Sequence, residues 1–300
     1  MAPPARELRY LDPAILARLG TLELKARTVV EGFLSGLHRS PFKGFSVEFA
    51  EYRQYMPGDD LSTIDWKVYA RSDRHYVKKF EEETNLECRL LVDVSGSMAY
   101  GSRGPSKLEY ASFLAASLAY LMQHQRDAVG LATFDHRIVS LLPPSVRPGH
   151  LRAILSTLDG VQPGDRTSVA KPFHQLADSL SKRGLVIVIS DLLDDPAPVI
   201  EGLKHFKFRG TDVIVFQVLD PDELQFPFTS PARFADPETE EEVSAAPRLI
   251  RSQYLEELQA LLTRYERELR VAGIDYRLLD TSQPLEHALL AYLHTRGRRQ

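Results

Sequence analysis

Two hydrophobic patterns divide the chain. In the first, apolar residues recur at helical spacing over 13–36, which predicts one amphipathic helix, and extended segments are predicted at 45–56 and 76–83. In the second, apolar runs alternate with amphipathic stretches, which is typical of α/β proteins. We therefore predict two parts: an N-terminal helix with extended segments over 1–85, and an α/β domain over 86–300.

The second part contains about six predicted strands, most of them joined by helices. The strands fall within 86–95, 127–135, 138–144, 184–195, 211–220 and 274–280, and the second and third should form a hairpin. Helices are predicted at about 107–125, 149–158, 168–181, 196–208, 248–272 and 284–296, and the proline-rich, acidic stretch 221–247 as an exposed hairpin or loop. Right-handed crossovers would give a doubly wound, mostly parallel sheet with helices on both faces.

Composition narrows the class of protein. An apolar content of 43% in 300 residues is enough for a large core, and a single cysteine, Cys88, excludes an internal disulfide framework. A net charge of −4 argues against broad binding of nucleic acid, which needs a concentrated basic face. The sequence shows no signal peptide and no long uncharged apolar run, so we expect a cytoplasmic protein without membrane insertion.

Polar residues follow the first strand of the α/β part, in the stretch LLVDVSGSMAYG. Asp93, Ser95 and Ser97 occupy alternate positions there, and Asp191 ends a second apolar strand. In parallel sheets ligands bind outside the carboxyl ends of the strands, so these acids should face one crevice if their strands are neighbours. The loop GDRTS, with Thr167 or Ser168, could reach the same place.

Carboxylate and hydroxyl oxygens without clustered histidine or cysteine favour a hard cation. Mg²⁺ is the natural candidate, because it binds to proteins through one or two carboxylates and keeps several of its waters. Mn²⁺ and Ca²⁺ are alternatives. Neutral hydroxyl ligands would leave the metal electrophilic and open to a carboxylate from another molecule.

DVSGS resembles the D-x-S-x-S motif of the von Willebrand factor type A domain and its metal-ion-dependent adhesion site. The resemblance implies that Asp93, Ser95, Ser97 and Thr167 hold the metal directly or through water, and that Asp191 acts mainly through water. It also implies that an acidic side chain of a partner completes the metal shell.

The chain from residue 36 onward also resembles the bacterial family called domain of unknown function 58. The motif that carries this resemblance is RQYMPGDDLSTIDWKVYAR, followed by VKKFEEE, and Leu192 stands where the family often has glycine. The resemblance implies partnership with a MoxR-type AAA+ ATPase in the assembly or maturation of protein complexes. The motif residues that could contact a partner, or pair and pack structurally, are Arg53, Asp59, Asp65, Trp66 and Arg71.

Three alternatives stand beside this interpretation. Asp93 and the two serines could simply cap the start of a helix. Asp93 could instead be a phosphoryl-accepting nucleophile of a metal-dependent phosphatase, although such enzymes usually carry a second aspartate where this chain has Ser95. The protein could also be a structural scaffold. We expect no enzyme activity.

Overall fold

The computed structural model describes residues 21–39, 52–54, 76–78, 87–164, 169–180, 183–235 and 242–297. The chain forms two compact units, which are Met1–Arg39 together with Leu86–Gln300, and Ser40–Asn85. The helix before residue 40 therefore groups with the α/β part, whereas the sequence pattern placed it in the N-terminal part.

Ten strands are described. They are β1 (Tyr52–Gln54), β2 (Tyr76–Lys78), β3 (Glu87–Asp93), β4 (Ala128–Phe134), β5 (Ile138–Ser145), β6 (Gly184–Ser190), β7 (Asp212–Leu219), β8 (Ala232–Ala235), β9 (Glu242–Ala245) and β10 (Asp275–Asp280). Strands β1 and β2 pair antiparallel within the smaller unit, and the predicted extended segments contain them.

Six strands form the main sheet, in the order β10-β7-β6-β3-β4-β5. All neighbours are parallel except β4 and β5, which form the predicted antiparallel hairpin. The prediction of an α/β fold with a mostly parallel sheet is therefore confirmed. Every residue of β6 is buried, as its continuous apolar run indicates for a central parallel strand.

Eight α-helices are described. They are α1 (Leu22–Arg39), α2 (Lys107–His124), α3 (His150–Asp159), α4 (Ala170–Asp178), α5 (Pro196–Phe208), α6 (Pro221–Gln225), α7 (Pro247–Val271) and α8 (Glu286–Gly297). A helix was predicted over 13–36, and the part of that prediction before residue 21 lies outside the described residues. None of the helices in the described ranges combines the length and apolarity needed to cross a bilayer.

The stretch 221–247 is more ordered than a loop. It opens with the short helix α6, which the sequence pattern missed, and β8 and β9 then pair antiparallel, which fits a hairpin rather than a loop, the two alternatives predicted. Phe226 packs on Tyr254 of α7, with ring centroids 4.7 Å apart, and on Phe234 of β8. These aromatic contacts attach the hairpin to α7 and hold α6 at the carboxyl edge of the sheet.

The core beside α4, α5 and α7 centres on a row of aromatic rings. Phe173 is fully buried between Phe134 and Phe206, with ring centroids 5.3 and 6.0 Å away in edge-to-face geometry. This row packs α4 and α5 against β4, so it supports the strand ends from which the candidate site is built.

Phe173→Ala should lower the free energy of unfolding by about 3–5 kcal/mol, because it removes buried area and leaves a cavity. Phe208→Ala is the matched control, since Phe208 on α5 is 87% exposed and its loss should cost less than about 0.5 kcal/mol. Urea denaturation of both variants checks the difference, and similar losses would show that the aromatic row does not carry the core.

Candidate metal centre

The site lies where the winding of the sheet reverses. After β3 the chain adds β4 and β5 on one side, and later adds β6, β7 and β10 on the other. Strands β3 and β6 are parallel neighbours, with Val92 opposite Ile189. Asp93 ends β3 and Asp191 directly follows β6, so both acids lie at the carboxyl edge, beside the crevice where open α/β sheets bind ligands.

Asp93 is completely buried and holds the local turn. Its Oδ1 accepts a hydrogen bond from the backbone N–H of Ser95 at 2.9 Å, and its Oδ2 accepts one from the hydroxyl of Ser190 at 2.5 Å. The hydroxyl oxygens of Ser95 and Ser97 lie 3.1 Å apart. Ser97 is only half-buried, so this end of the cluster is the more open one.

A capping role does not account for these side chains. Ser95 precedes a single 3₁₀ turn, Gly96–Ala99, and its side chain makes no capping hydrogen bond. The long helix α2 begins later and has its own capping box, in which the side chains of Ser106 and Glu109 bond to each other's backbone N–H groups. The hydroxyls of Ser95 and Ser97 are therefore not needed to start the helix.

Asp191 is also completely buried and is fixed at its backbone as well as its side chain. Its carbonyl oxygen accepts a hydrogen bond from Nε2 of Gln217 on β7, and the Oε1 of Gln217 accepts one from the hydroxyl of Tyr276 on β10. Three adjacent strands thus determine where this aspartate sits.

Leu192, which follows Asp191, has a left-handed backbone with φ +51°. This conformation favours glycine, so the leucine is held in a strained backbone. The strain is offset by burial of the leucine side chain and by a hydrogen bond from the Tyr265 hydroxyl to the Leu192 carbonyl oxygen at 3.1 Å.

A buried lysine occupies one side of the site. Nζ of Lys107, the first residue of α2, lies 2.8 Å from Oδ2 of Asp191 and 2.6 Å from Oε1 of Glu223 on α6. Only 1% of the lysine side chain is exposed. Burial acts to lower the pKa of Lys107, but the attraction of the two carboxylates outweighs it and raises this pKa above its ordinary value, so the ammonium ion is retained.

Asp93 has no such cationic partner among the described side chains. Burial, and next the negative charge of Asp191, raise the pKa of Asp93 from 3.8 to about 7, against the opposing effect of its hydrogen bonds from Ser190 and Ser95. Near neutral pH this carboxyl therefore binds a proton readily, and a second cation at the site would relieve the same repulsion.

The predicted ligands Thr167 and Ser168 lie outside the described residues, which end at 164 and resume at 169. The described residues that flank them, Gly164 and Val169, each donate a hydrogen bond to a residue near the site. The N–H of Gly164 donates to the carbonyl oxygen of Val94 at 2.6 Å, and the N–H of Val169 donates to Oδ2 of Asp194 at 3.3 Å.

Gly164 also passes close to Asp135, at the end of β4. A Cβ at position 164 would lie 2.7 Å from Oδ2 of Asp135 and 3.2 Å from the carbonyl oxygen of Val94, so a larger residue here would displace the Asp135 side chain. The described residues on either side of Thr167 and Ser168, Gly164 and Val169, therefore lie close to Asp135 and Asp194.

The motif from 53 to 71 lies mostly outside the described residues as well. Arg53 is in β1, opposite Val77 of β2, and nothing further is described for its side chain. Asp59, Asp65, Trp66 and Arg71 lie outside the described ranges. Their structural or partner-contact role stays a prediction.

Sequence reasoning missed four residues of the site: Lys107, Ser190, Gln217 and Glu223. Lys107 and Glu223 carried a sequence signal, and that of Glu223 is the D-x-x-E box at 220–223. The S-x-x-E box at 106–109 marks a helix start and so places this lysine in the first turn, where the helix dipole disfavours a cation. Such a local conflict points to a partner elsewhere in the fold.

The donor set fits a hard divalent cation. It has two buried carboxylates, a pair of neighbouring hydroxyls and a surplus of negative charge. In the described part of the chain, no three histidine, cysteine or acidic side chains cluster as a metal site, so a cation here depends on hydroxyl oxygens and water. That is the chemistry expected for Mg²⁺ rather than for zinc.

A mixed six-stranded sheet with buried acids at its carboxyl edge defines an α/β protein with a candidate cation site. The family model described as "Protein of unknown function DUF58" matches residues 51–262, and the chain belongs to this family. Two mycobacterial relatives are the uncharacterized proteins Rv1480 of Mycobacterium tuberculosis and Mb1516 of Mycobacterium bovis. Each is 29% identical over 219 residues, which is 72% of this chain and 68% of the relative.

Two solved structures are also similar to the chain. One is the conserved hypothetical protein BatB from Bacteroides thetaiotaomicron, with 17% identity, a TM-score of 0.49 and coverage of 72% of this chain and 100% of that one. The other is an aerotolerance-related membrane protein from Bacteroides fragilis, with 20% identity, a TM-score of 0.49 and coverage of 70% and 99%.

The raised pKa of Asp93 predicts how stability depends on pH in metal-free buffer. Between about pH 4 and 7 the folded protein holds a proton that the unfolded chain has released, so this stabilisation is complete at low pH and is lost as the pH rises through about 7. Three pKa units correspond to a loss of up to about 4 kcal/mol in the free energy of unfolding.

Urea denaturation between pH 4.5 and 8 in EDTA measures this dependence. Asp93→Asn should remove most of it, whereas Asp159→Asn, at the exposed end of α3, should leave it in place. A pH profile that is the same in wild type and Asp93→Asn would contradict the electrostatic account of the site.

Proposed function

We propose that the protein is a non-enzymatic, metal-dependent interaction module with a von Willebrand factor type A-like arrangement. The observation that carries the proposal is the pair of buried carboxylates, Asp93 and Asp191, at the carboxyl edge of neighbouring strands beside two hydroxyls that no helix cap requires. Mg²⁺ would bind there through Asp93, Ser95 and Ser97, with Thr167 and Asp191 contributing directly or through water.

The metal would supply an open coordination position for an acidic side chain of a partner. Three residues of the chain prepare that position by orienting the two aspartates. Ser190 and the N–H of Ser95 hold the Asp93 carboxylate in one orientation, and Gln217 fixes the backbone of Asp191. A rigid, prearranged donor set lowers the entropic cost of binding.

A MoxR-type AAA+ ATPase is the proposed partner, and this part rests on the family resemblance. The motif from 53 to 71 is proposed to contact the partner, and this part also rests on the family resemblance. A cytoplasmic location is proposed too, because a chain with one cysteine, Cys88, has no internal disulfide, which suits a reducing compartment.

Asp93→Ala should abolish binding of Mg²⁺ or Mn²⁺ and reduce partner capture at least tenfold without unfolding the domain, because it removes one of two mutually repelling buried acids. Calorimetry measures metal binding by the purified protein. A pull-down with purified MoxR-type ATPase, in Mg²⁺ and in EDTA, measures capture. Asp159→Ala is the matched control, with the same change of charge on an exposed helix end.

The same variants separate the rival functions. A phosphatase would release phosphate from a generic phosphate ester in Mg²⁺ and lose this activity in Asp93→Asn. A structural scaffold would retain its partner when Asp93 and Asp191 are both replaced. Absence of metal binding by the wild type, with and without an acidic peptide, would overturn the metal-dependent proposal.

A further inference from the structure

The ion cluster formed by Lys107, Asp191 and Glu223 is unusual for a merely structural contact. Lys107 is in the first turn of α2, where the helix dipole opposes a cation, and its side chain is removed from water. Both effects are unfavourable, so a well-packed apolar side chain would serve stability at least as well. The cluster touches the proposed metal site directly, since Asp191 is shared between them.

We propose that Lys107 is a specificity-determining residue that makes metal binding depend on a carboxylate from outside the chain. This inference rests on the proposed function and deepens it. By pairing with Oδ2 of Asp191, the ammonium ion occupies one carboxylate that a metal would otherwise use. Of the carboxylates of Asp93, Asp191 and Glu223, only that of Asp93 then has no ammonium ion beside it, so an external carboxylate has a place to fill.

The net charge of the site also indicates that Lys107 favours binding of an external carboxylate. With all groups ionised, the three carboxylates of Asp93, Asp191 and Glu223 and the one ammonium ion leave two negative charges, which a divalent cation cancels. An incoming carboxylate then approaches a neutral site. Without the lysine it would approach a site that is already negative, and repulsion across a few ångströms in a buried environment is strong.

The lysine also lowers the affinity for the metal itself, because two cations would lie on either side of Asp191. Metal and acidic ligand should therefore bind with positive coupling in the wild type, each improving the affinity of the other by the same factor. This arrangement favours a partner that presents a glutamate or aspartate side chain, and it disfavours retention of the metal when no partner is present.

Lys107→Met tests the inference, since methionine has a similar length and no charge. Calorimetry with Mn²⁺ should show affinity at least about tenfold higher for the variant than for wild type without peptide. A short peptide with one glutamate should tighten Mn²⁺ binding by wild type, and its glutamine counterpart should not. In the variant this difference between the two peptides should shrink or vanish. Lys204→Met, on the exposed face of α5, is the control for loss of one positive charge and should behave as wild type.

Lys107→Met leaves the Glu223 carboxylate buried beside an apolar side chain, which could destabilise the fold. A second variant avoids this unpaired charge. Lys107→Met/Glu223→Gln removes the ion pair as a unit, and glutamine can still accept the hydrogen bond from the Asp220 N–H that caps α6. The increase in melting temperature on adding Mn²⁺ should be larger in this variant than in wild type.

The outcomes distinguish the two proposals. If wild type binds Mn²⁺ and responds to the glutamate peptide, but the Lys107 variants do so equally, the lysine is structural and only this inference fails. If the Lys107 variants bind Mn²⁺ and wild type does not bind it even with the glutamate peptide, the metal dependence of the wild type is overturned and this inference with it. If neither wild type nor any variant binds Mn²⁺, both the proposed function and the proposed role of Lys107 are overturned.

Discussion

The burial of two carboxylates side by side is the constraint on which the rest of this structure depends. Pairing of β3 with β6 brings Asp93 and Asp191 to the same edge of the sheet, away from water. An ionised acid in such a place must be paired, hydrogen-bonded or protonated. The two acids meet this requirement differently: Asp191 through Lys107, and Asp93 through hydrogen bonds and a raised pKa. A metal-dependent site is a further solution to the same electrostatic problem.

Polar side chains on the neighbouring strands fix the position of the site. Tyr276 on β10 bonds to Gln217 on β7, which bonds to the backbone of Asp191 after β6. Glu223 extends the connection to α6, whose position depends on the aromatic packing of the hairpin that follows. Elements distant in sequence thus converge on one aspartate, and their interactions should not be additive in double-mutant cycles.

Much of the fold could be predicted because it depends on local patterns. The continuous apolar run of β6 and the helical spacing in α7 are visible over a few residues. Asp93 and Asp191 could be found for a related reason, since polar residues after apolar strands mark the carboxyl edge. The burial of Lys107 could not be predicted, because it depends on Asp191 and Glu223, 84 and 116 residues away along the chain. The helix α6 was missed because five residues with a proline and two acids are too short for a periodic pattern.

The left-handed backbone of Leu192 has an evolutionary consequence. A change to glycine would relieve the backbone but empty a fully buried position in the core, so it would be neutral only if a neighbour grew to fill the space. A change from glycine to leucine at this position would require a core cavity large enough for the leucine side chain. The effect of a substitution at this residue therefore depends on its core neighbours, and glycine should be tolerated here only together with compensating substitutions around Tyr265.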